Sequence, residues 1–598
     1  MTAATAIQGA VPPLRQRGSQ HGRWERAQDR HSAPAVSIAA AVPRCLVEAR
    51  GPILDRGPSA PADSKALDIR RFPAFPASSA PSASTHHGPH GPHSGDFGPS
   101  RIPGSSATLV PMETNDPFAA LAETHSAVIV LYGDRAYKVK KPVRTDFLDF
   151  STRAAREAAC RRELELNRRF APDVYLGLGH LSDPTKDADE PVLLMRRLPD
   201  ATRLSRRLDD PAVARDILSV LVRDVAAWHD RAPTGTAIDR AATVTAVRER
   251  WMSLLSGITP PAVEPAAVAE LTHLATRYLD GRKALFDKRI ATGRIVDGHG
   301  DLRADDIFVT DDGVRVIDCL DFDDELRHVD RLDDICFLAM DLDRLGYPDL
   351  GRAVLEEYRE TTGDPAPDSL SHHYIAYRAA VRAKVDCVRY RQGEQRAAAS
   401  AVRHVEVALR HLTAGAVRLV LVGGLPGTGK STIARRLAAA TGAILLSSDH
   451  IRAVARAEGV LDGATGEYDH GAYTPAARDH VYAVMCAEAQ TLLASGRSIV
   501  LDASWIDEAQ RRRASRLATD TSADLIELCC SAPASVAAAR IAARSGSESD
   551  ATPAVAAAMA ADRDPWPRAV VLDTTAPEDE TVDAALRGYR HMSEREHS

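Results

Sequence analysis

The run Gly424-Leu-Pro-Gly-Thr-Gly-Lys-Ser431 lies between an apolar stretch at 417–422 and a helix-forming stretch at 431–440. Few backbones accept that order. Closely spaced glycines let a chain curl tightly and turn several N–H groups toward one point. The helix that follows adds the positive end of its dipole, and such a concavity takes up phosphate. Lys430 brings a full charge toward the β- and γ-phosphates, and Ser431 offers a hydroxyl to Mg²⁺. The spacing is that of a P-loop, with Gly424, Gly427, Thr428, Gly429, Lys430, Ser431 and Thr432 as nucleotide contacts.

From 417 onward strand-like and helix-like stretches alternate. Strands are expected at 417–422, 443–446, 498–501, 525–529 and 569–572, which implies a parallel sheet with helices on both faces. Two acids fall at strand ends, where open α/β sheets bind ligands. Asp449 follows 443–448, and Asp502 closes 498–501. Asp449 has a second reading as a helix N-cap.

With Asp449-His-Ile-Arg452 and Leu501-Asp-Ala503, this segment resembles small P-loop kinases of the polynucleotide-kinase, zeta-toxin and gluconate-kinase type. Arg540 and Arg544, before the segment 545–549, add to that likeness. The resemblance implies that Asp449 deprotonates an acceptor hydroxyl and that Arg452 holds the acceptor. It implies that Asp502 supports Mg²⁺ or its waters, and that Arg540 and Arg544 close over the phosphates. The plainer reading of those two arginines is a solvated i,i+4 helix face.

A second signal lies upstream, in His299-Gly-Asp-Leu-Arg-Ala-Asp-Asp-Ile307 and Val314-Arg-Val-Ile-Asp318. An acid in a loop before a hairpin, then an acid closing an apolar strand, can bring a base and a metal ligand together. With Asp330-Arg-Leu-Asp-Asp-Ile335, and with Tyr137-Lys138-Val139 on a strand, this part resembles the aminoglycoside-phosphotransferase and choline-kinase-like branch of the protein-kinase fold. The likeness covers roughly 120–390. The whole arrangement resembles actinobacterial bifunctional aminoglycoside phosphotransferase/ATP-binding proteins. It implies Asp301 as base, Asp306 and Asp318 as Mg²⁺ ligands, Lys138 on the nucleotide's phosphates and Glu163 as its partner. It also implies that His299, Asp330 and Asp334 brace the loop, although a purely structural role fits them too.

Three departures stand out. Asp306 occupies the place of the expected Asn, and adds charge beside Asp318. Only Gly133 stands where a glycine-rich phosphate cover is expected. Arg303, two residues after the base, is placed to alter acceptor preference. Residues 318–343 hold ten acids, with Arg327 and Arg331 set against them. Such a run reads either as a field drawing in a polycationic acceptor such as an aminoglycoside or, more commonly, as a solvated face.

The remaining residues set the frame. Of 598 residues, 44% are hydrophobic and 26% charged, an ordinary globular mix. A net charge of −7 argues against a mainly electrostatic nucleic-acid binder, while the resemblance leaves a nucleotide or polynucleotide acceptor open. No stretch of about 18 apolar residues suggests a membrane span, and the opening residues lack a signal-peptide core. The eight cysteines form no C-x-x-C pair, so reduced thiols in a cytoplasmic protein are expected.

Residues 1–111, rich in Pro, Ser, Gly and His, read as a disordered arm, and Met112 as a candidate start. The cluster His86, His87, His90 and His93 is the arm's candidate metal site, against the commoner reading of solvated histidines. Order is expected from about Ala127. The expected architecture is α/β and α+β multidomain: a disordered arm (1–111), a protein-kinase-like domain (112–412) and a P-loop NTPase or AAA-type domain with a parallel sheet (413–598). The expected activity is ATP- and Mg²⁺-dependent phosphorylation of a hydroxyl on a small molecule. The alternatives are a regulatory pseudokinase fused to a working P-loop kinase, or a non-enzymatic ATP sensor.

Overall fold

A computed structural model describes residues 117–124, 126–144, 149–182, 189–462, 468–543 and 551–591. The expected arm, Met112, the His86–His93 cluster, Cys45 and Arg544 lie outside them.

The first part is an antiparallel sheet of β1 (Ala119–Glu123), β2 (Ala127–Tyr132), β3 (Arg135–Lys140), β4 (Tyr175–Leu181) and β5 (Glu190–Arg196). Its strand order is β1-β2-β3-β5-β4. The β2–β3 hairpin turns at Gly133-Asp134, with Tyr132 opposite Arg135. β1 and β4 are corrections to the sequence reading. Ala-Ala-Leu-Ala-Glu is a mostly exposed edge strand with no alternation, and β4 carries two glycines that weaken strand propensity. The helix Arg153–Asn167 buries Cys160, Glu163 and Leu166.

A helical body follows. It includes Pro211–Arg231, Pro265–Asp280, Arg331–Arg344, Asp368–Arg391 and Ala397–Ala414. Two short antiparallel pairs are set into it: β6 (Ile295–Asp297) with β9 (His328–Asp330), and β7 (Ile307–Thr310) with β8 (Gly313–Val316). The 299–306 loop connects β6 to β7, so both carry its ends.

The last part is a wholly parallel sheet. β10 (Arg418–Gly423), β11 (Ile444–Ser447), β12 (Ile499–Asp502), β13 (Asp524–Ser531) and β14 (Val570–Asp573) run in the order β11-β12-β10-β13-β14. All five lie within three residues of the positions expected at either end. Central β10 is buried throughout, because helices cover both faces. The seven described cysteines are buried and free. Among the described residues no helix is long and apolar enough to cross a membrane.

One apolar cluster runs from Leu166 in the first part, through the helical body, to Leu421, Met485 and Leu501 around the parallel sheet. The polar seam beside it meets the loops that lead into β12 and β13. Arg282, fully buried, donates to the Thr521 carbonyl at 2.7 Å, and Arg277 pairs with Asp524 at 2.7 Å. Ser369 donates to the Gly496 carbonyl at 2.6 Å. The amino ends of the parallel strands therefore face the helical body.

Gly281 makes this approach possible: a Cβ there would lie 2.0 Å from the Thr521 oxygen. Gly281→Ala is expected to lower stability by about 2–3 kcal/mol and to speed proteolysis between the two parts. Gly177→Ala, with open space around it, is expected to change stability by less than about 0.5 kcal/mol. Urea titration of both variants checks this, and equal midpoints would refute it.

Candidate active sites

The turn after β10 has the backbone that its glycines permit. Gly427 and Gly429 have φ of +81° and +83°, and a Cβ on Gly427 would sit 2.4 Å from the Ala537 carbonyl oxygen. Gly429 is the N-cap of the helix Lys430–Thr441 and supplies no side-chain cap. The Thr432 N–H bonds back to the Gly429 carbonyl at 3.1 Å, while the Lys430 and Ser431 amides remain available to a ligand.

Asp502 ends β12 beside β10, opposite Val422, and is buried. It shares a hydrogen bond with Ser431. Its Oδ1 finds no partner among the described residues. Burial pushes its carboxyl up and Lys430 opposes the shift. A buried carboxylate oxygen without a partner, beside a hydroxyl, fits a hard divalent cation.

Ser447, not Asp449, is the N-cap of the helix Ser448–Ala457. Asp449 is instead paired with Arg452 at 2.8 Å. Arg452 is buried and lies over the Tyr473 ring, 4.4 Å from its centroid. The two residues assigned to the acceptor thus meet each other. Arg540 reaches the loop after β14, donating to Thr574 Oγ1 at 3.2 Å and to its carbonyl at 2.7 Å. Thr574 in turn lies next to Gly429, so Arg540 is anchored at the phosphate loop rather than on a solvated face.

In the first part, Lys138 on β3 pairs with both Glu163 and Asp318, each at 2.7 Å. The sequence reading missed Lys140. Two residues along a strand, it shares a face with Lys138 and pairs with Glu163 at 2.7 Å and Asp321 at 2.8 Å. The spacing Lys-Val-Lys was the available signal. Tyr175 was also missed; its hydroxyl accepts from the Asp318 N–H at 3.0 Å. Asp318 has φ of +64° and a side chain 48% exposed, and the charge of Lys138 draws its carboxyl down to about 2.

The 299–306 loop is held from beneath. Asp334 accepts from the His299 and Gly300 N–H groups at 2.7 and 2.9 Å and meets His229 Nε2 at 3.1 Å. Burial alone would raise its carboxyl; the His229 bond and the charges of His229, His299 and Arg378 hold it below the usual range. Asp330 accepts from Nε and Nη2 of Arg289 at 2.7 and 2.6 Å, and Asp364 takes the guanidinium's other side.

Arg303 is already engaged by two carboxylates. It spans Asp301 at 3.3 Å and Asp306 at 2.5 Å. Burial lifts the Asp306 carboxyl to about 7 against the pull of Arg303, with Asp318 and Asp301 adding to the rise. The charge expected beside Asp318 is thus partly removed near neutrality. Asp318 fits an Mg²⁺ ligand; Asp306 fits one only if Arg303 gives way.

The acidic run is neither a free field nor a solvated face. Asp318, Asp321, Asp324, Asp330, Asp333, Asp334, Asp341 and Asp343 are all paired with cationic side chains or histidine. Asp323 and Glu325 remain on the surface.

The AAA domain family profile matches residues 419–566. A Mycobacterium tuberculosis protein, "Uncharacterized protein Rv2004c", is 46% identical over 480 residues, covering 80% of this chain and 96% of its own. Its Mycobacterium bovis counterpart Mb2027c matches to the same extent. Among solved structures, a gluconokinase from Sinorhizobium meliloti 1021 is 19% identical with a TM-score of 0.24, covering 30% of this chain and 95% of its own. A choline/ethanolamine kinase family protein from Mesorhizobium loti is 13% identical with a TM-score of 0.31, covering 51% and 94%.

Asp306 yields a test of the central site. Its folded pKa of about 7 exceeds the ordinary 3.8. Between those values the folded chain holds a proton that the unfolded chain has released, so this group's contribution to stability falls as pH rises from about 4 to 7. Asp306→Asn lacks the titration. Relative to the parent, it is expected to gain at least about 1 kcal/mol between pH 4.5 and 7.5. Urea unfolding at both pH values checks this, and a pH-independent difference would count against it.

Proposed function

This chain belongs to the same family as the Mycobacterium tuberculosis protein Rv2004c, and we propose that it is an ATP-dependent phosphotransferase that phosphorylates a hydroxyl on a small molecule. In this reading it has two ATP-handling sites, one in each part. The carrying observation is the phosphate loop. The Lys430 and Ser431 amides, the Lys430 side chain, and the Ser431 hydroxyl beside the Asp502 oxygen that has no partner among the described residues converge at one end of a parallel sheet.

Phosphoryl transfer asks a protein mainly for in-line positioning and neutralised charge. In the P-loop site the amides and Lys430 bind the phosphates. Ser431 and Asp502 would hold Mg²⁺, which when bound offsets charge on the β- and γ-phosphates. Asp449 accepts the acceptor's hydroxyl proton, and its pairing with Arg452 holds it in place. Arg540 steadies the loop from the Thr574 side.

In the central site Lys138 binds phosphate and Glu163 orients it. Asp318, with Asp306, would hold Mg²⁺, and Asp301 accepts the proton. A second reading rests on Arg303, which occupies Asp306: the central part then binds nucleotide without transferring phosphate and regulates a working P-loop site.

Mg²⁺-dependent ATP consumption by the full chain, with and without a pooled library of hydroxyl compounds, tests both readings. Lys430→Ala and Asp301→Asn are each expected to remove a different acceptor-dependent part of turnover, by roughly 100-fold or more. Loss of all turnover in Lys430→Ala, with none in Asp301→Asn, would favour the regulatory reading and overturn the two-site one.

A further inference from the structure

We infer that the acceptor of the central site carries an anionic group, carboxylate or phosphate, and that Arg382 binds it beside Asp301. This rests on the reading of Asp301 as the base of a phosphotransferase site.

The helix Asp368–Arg391 lies against the 299–306 loop. Arg378 grips Asp333 through two hydrogen bonds, at 2.7 and 2.8 Å, and donates to the Gly300 carbonyl at 3.1 Å. Arg382 is one helical turn further along the same face, about 6 Å on. It comes within electrostatic reach of Asp301, Arg303, Asp341 and Asp386.

Each acid in that group already has partners. Asp301 is held by Arg303 at 3.3 Å. Asp341 accepts from the Ala304 N–H at 3.0 Å and pairs with Arg344 at 2.7 Å. Asp386 pairs with His404 at 2.9 Å and with Arg389 at 3.2 Å. Arg382 itself makes no hydrogen bond or ion pair among the described residues, although it is half-buried. Burial, and then the charge of Arg303, lower its affinity for its proton. A guanidinium keeps its charge even so.

A partly desolvated charge without a partner is costly, and a bidentate anion is the ligand that best removes that cost. The opposite class, an acceptor rich in ammonium groups, would meet two arginines beside the base. Eight of the ten acids in the 318–343 run are already paired with cationic side chains or histidine.

The test uses the full chain carrying Lys430→Ala, so that the P-loop site is silent. Mg²⁺-ATP turnover is measured with hydroxy acids (glycerate, gluconate), a phosphate ester (glycerol 3-phosphate), neutral polyols (glycerol, glucose) and amines (choline, kanamycin). The expected result is turnover with at least one anionic acceptor, removed by Asp301→Asn. Comparing the acids with the phosphate ester identifies which anion is used.

Arg382→Gln is expected to raise that acceptor's KM about 10- to 100-fold, as loss of a charge-assisted bond implies. Its kcat and its KM for ATP should stay within about threefold, and Arg382→Lys should recover part of the loss. An unchanged ATP KM and thermal midpoint separate this effect from misfolding. Should Arg382→Gln not fold, Arg382→Lys alone must still raise the acceptor KM by several-fold. Turnover only with neutral or amine acceptors, or an acceptor KM indifferent to Arg382, overturns the inference and leaves the phosphotransferase reading standing. Absence of any Asp301-dependent turnover across the whole panel overturns that reading, and the inference with it.

Discussion

Three carboxylates of one short segment, Asp330, Asp333 and Asp334, are withdrawn from water, and the shape of the central site depends on how they are neutralised. Arg289 and Tyr374 take Asp330, Arg378 takes Asp333, and His229 with two loop amides takes Asp334. These side-chain partners come from three separate helices. Losing one partner of such a pair leaves a buried charge exposed to low dielectric, at a cost of about 3–5 kcal/mol. The helices are therefore fixed by charge as well as by apolar packing, and the 299–306 loop inherits that fixity.

The two candidate sites solve the problem of holding phosphate differently. The P-loop site uses backbone. Its donors are amides at a helix start, with Lys430 adding a full charge. The central site uses side chains already engaged with one another, Lys138 and Lys140 against Glu163, Asp318 and Asp321. A ligand entering the first meets donors that wait for it. A ligand entering the second must exchange one ion pair for another, which makes its affinity more sensitive to salt.

Much of this was legible in the sequence, for reasons of periodicity. The five parallel strands are continuous apolar runs separated by helical stretches, so β10 to β14 fall close to where the pattern sets them. The phosphate loop was legible because glycine spacing alone determines it. Local pattern failed where tertiary contact decides. Nothing near Arg303 announces that it will span Asp301 and Asp306, and the acidic run looks solvated until Arg289, Arg378 and His411, 40 to 70 positions away or so, come to meet it. β1 was missed because an exposed edge strand needs no alternation.

The seam between the two parts has a consequence for their abundance. Arg282, Gly281 and Thr521 close the amino ends of the parallel strands against the helical body. The phosphate loop opens at the carboxyl ends, on the far edge of the same sheet. Fusion here fixes a one-to-one ratio between the halves and ties them to a common lifetime.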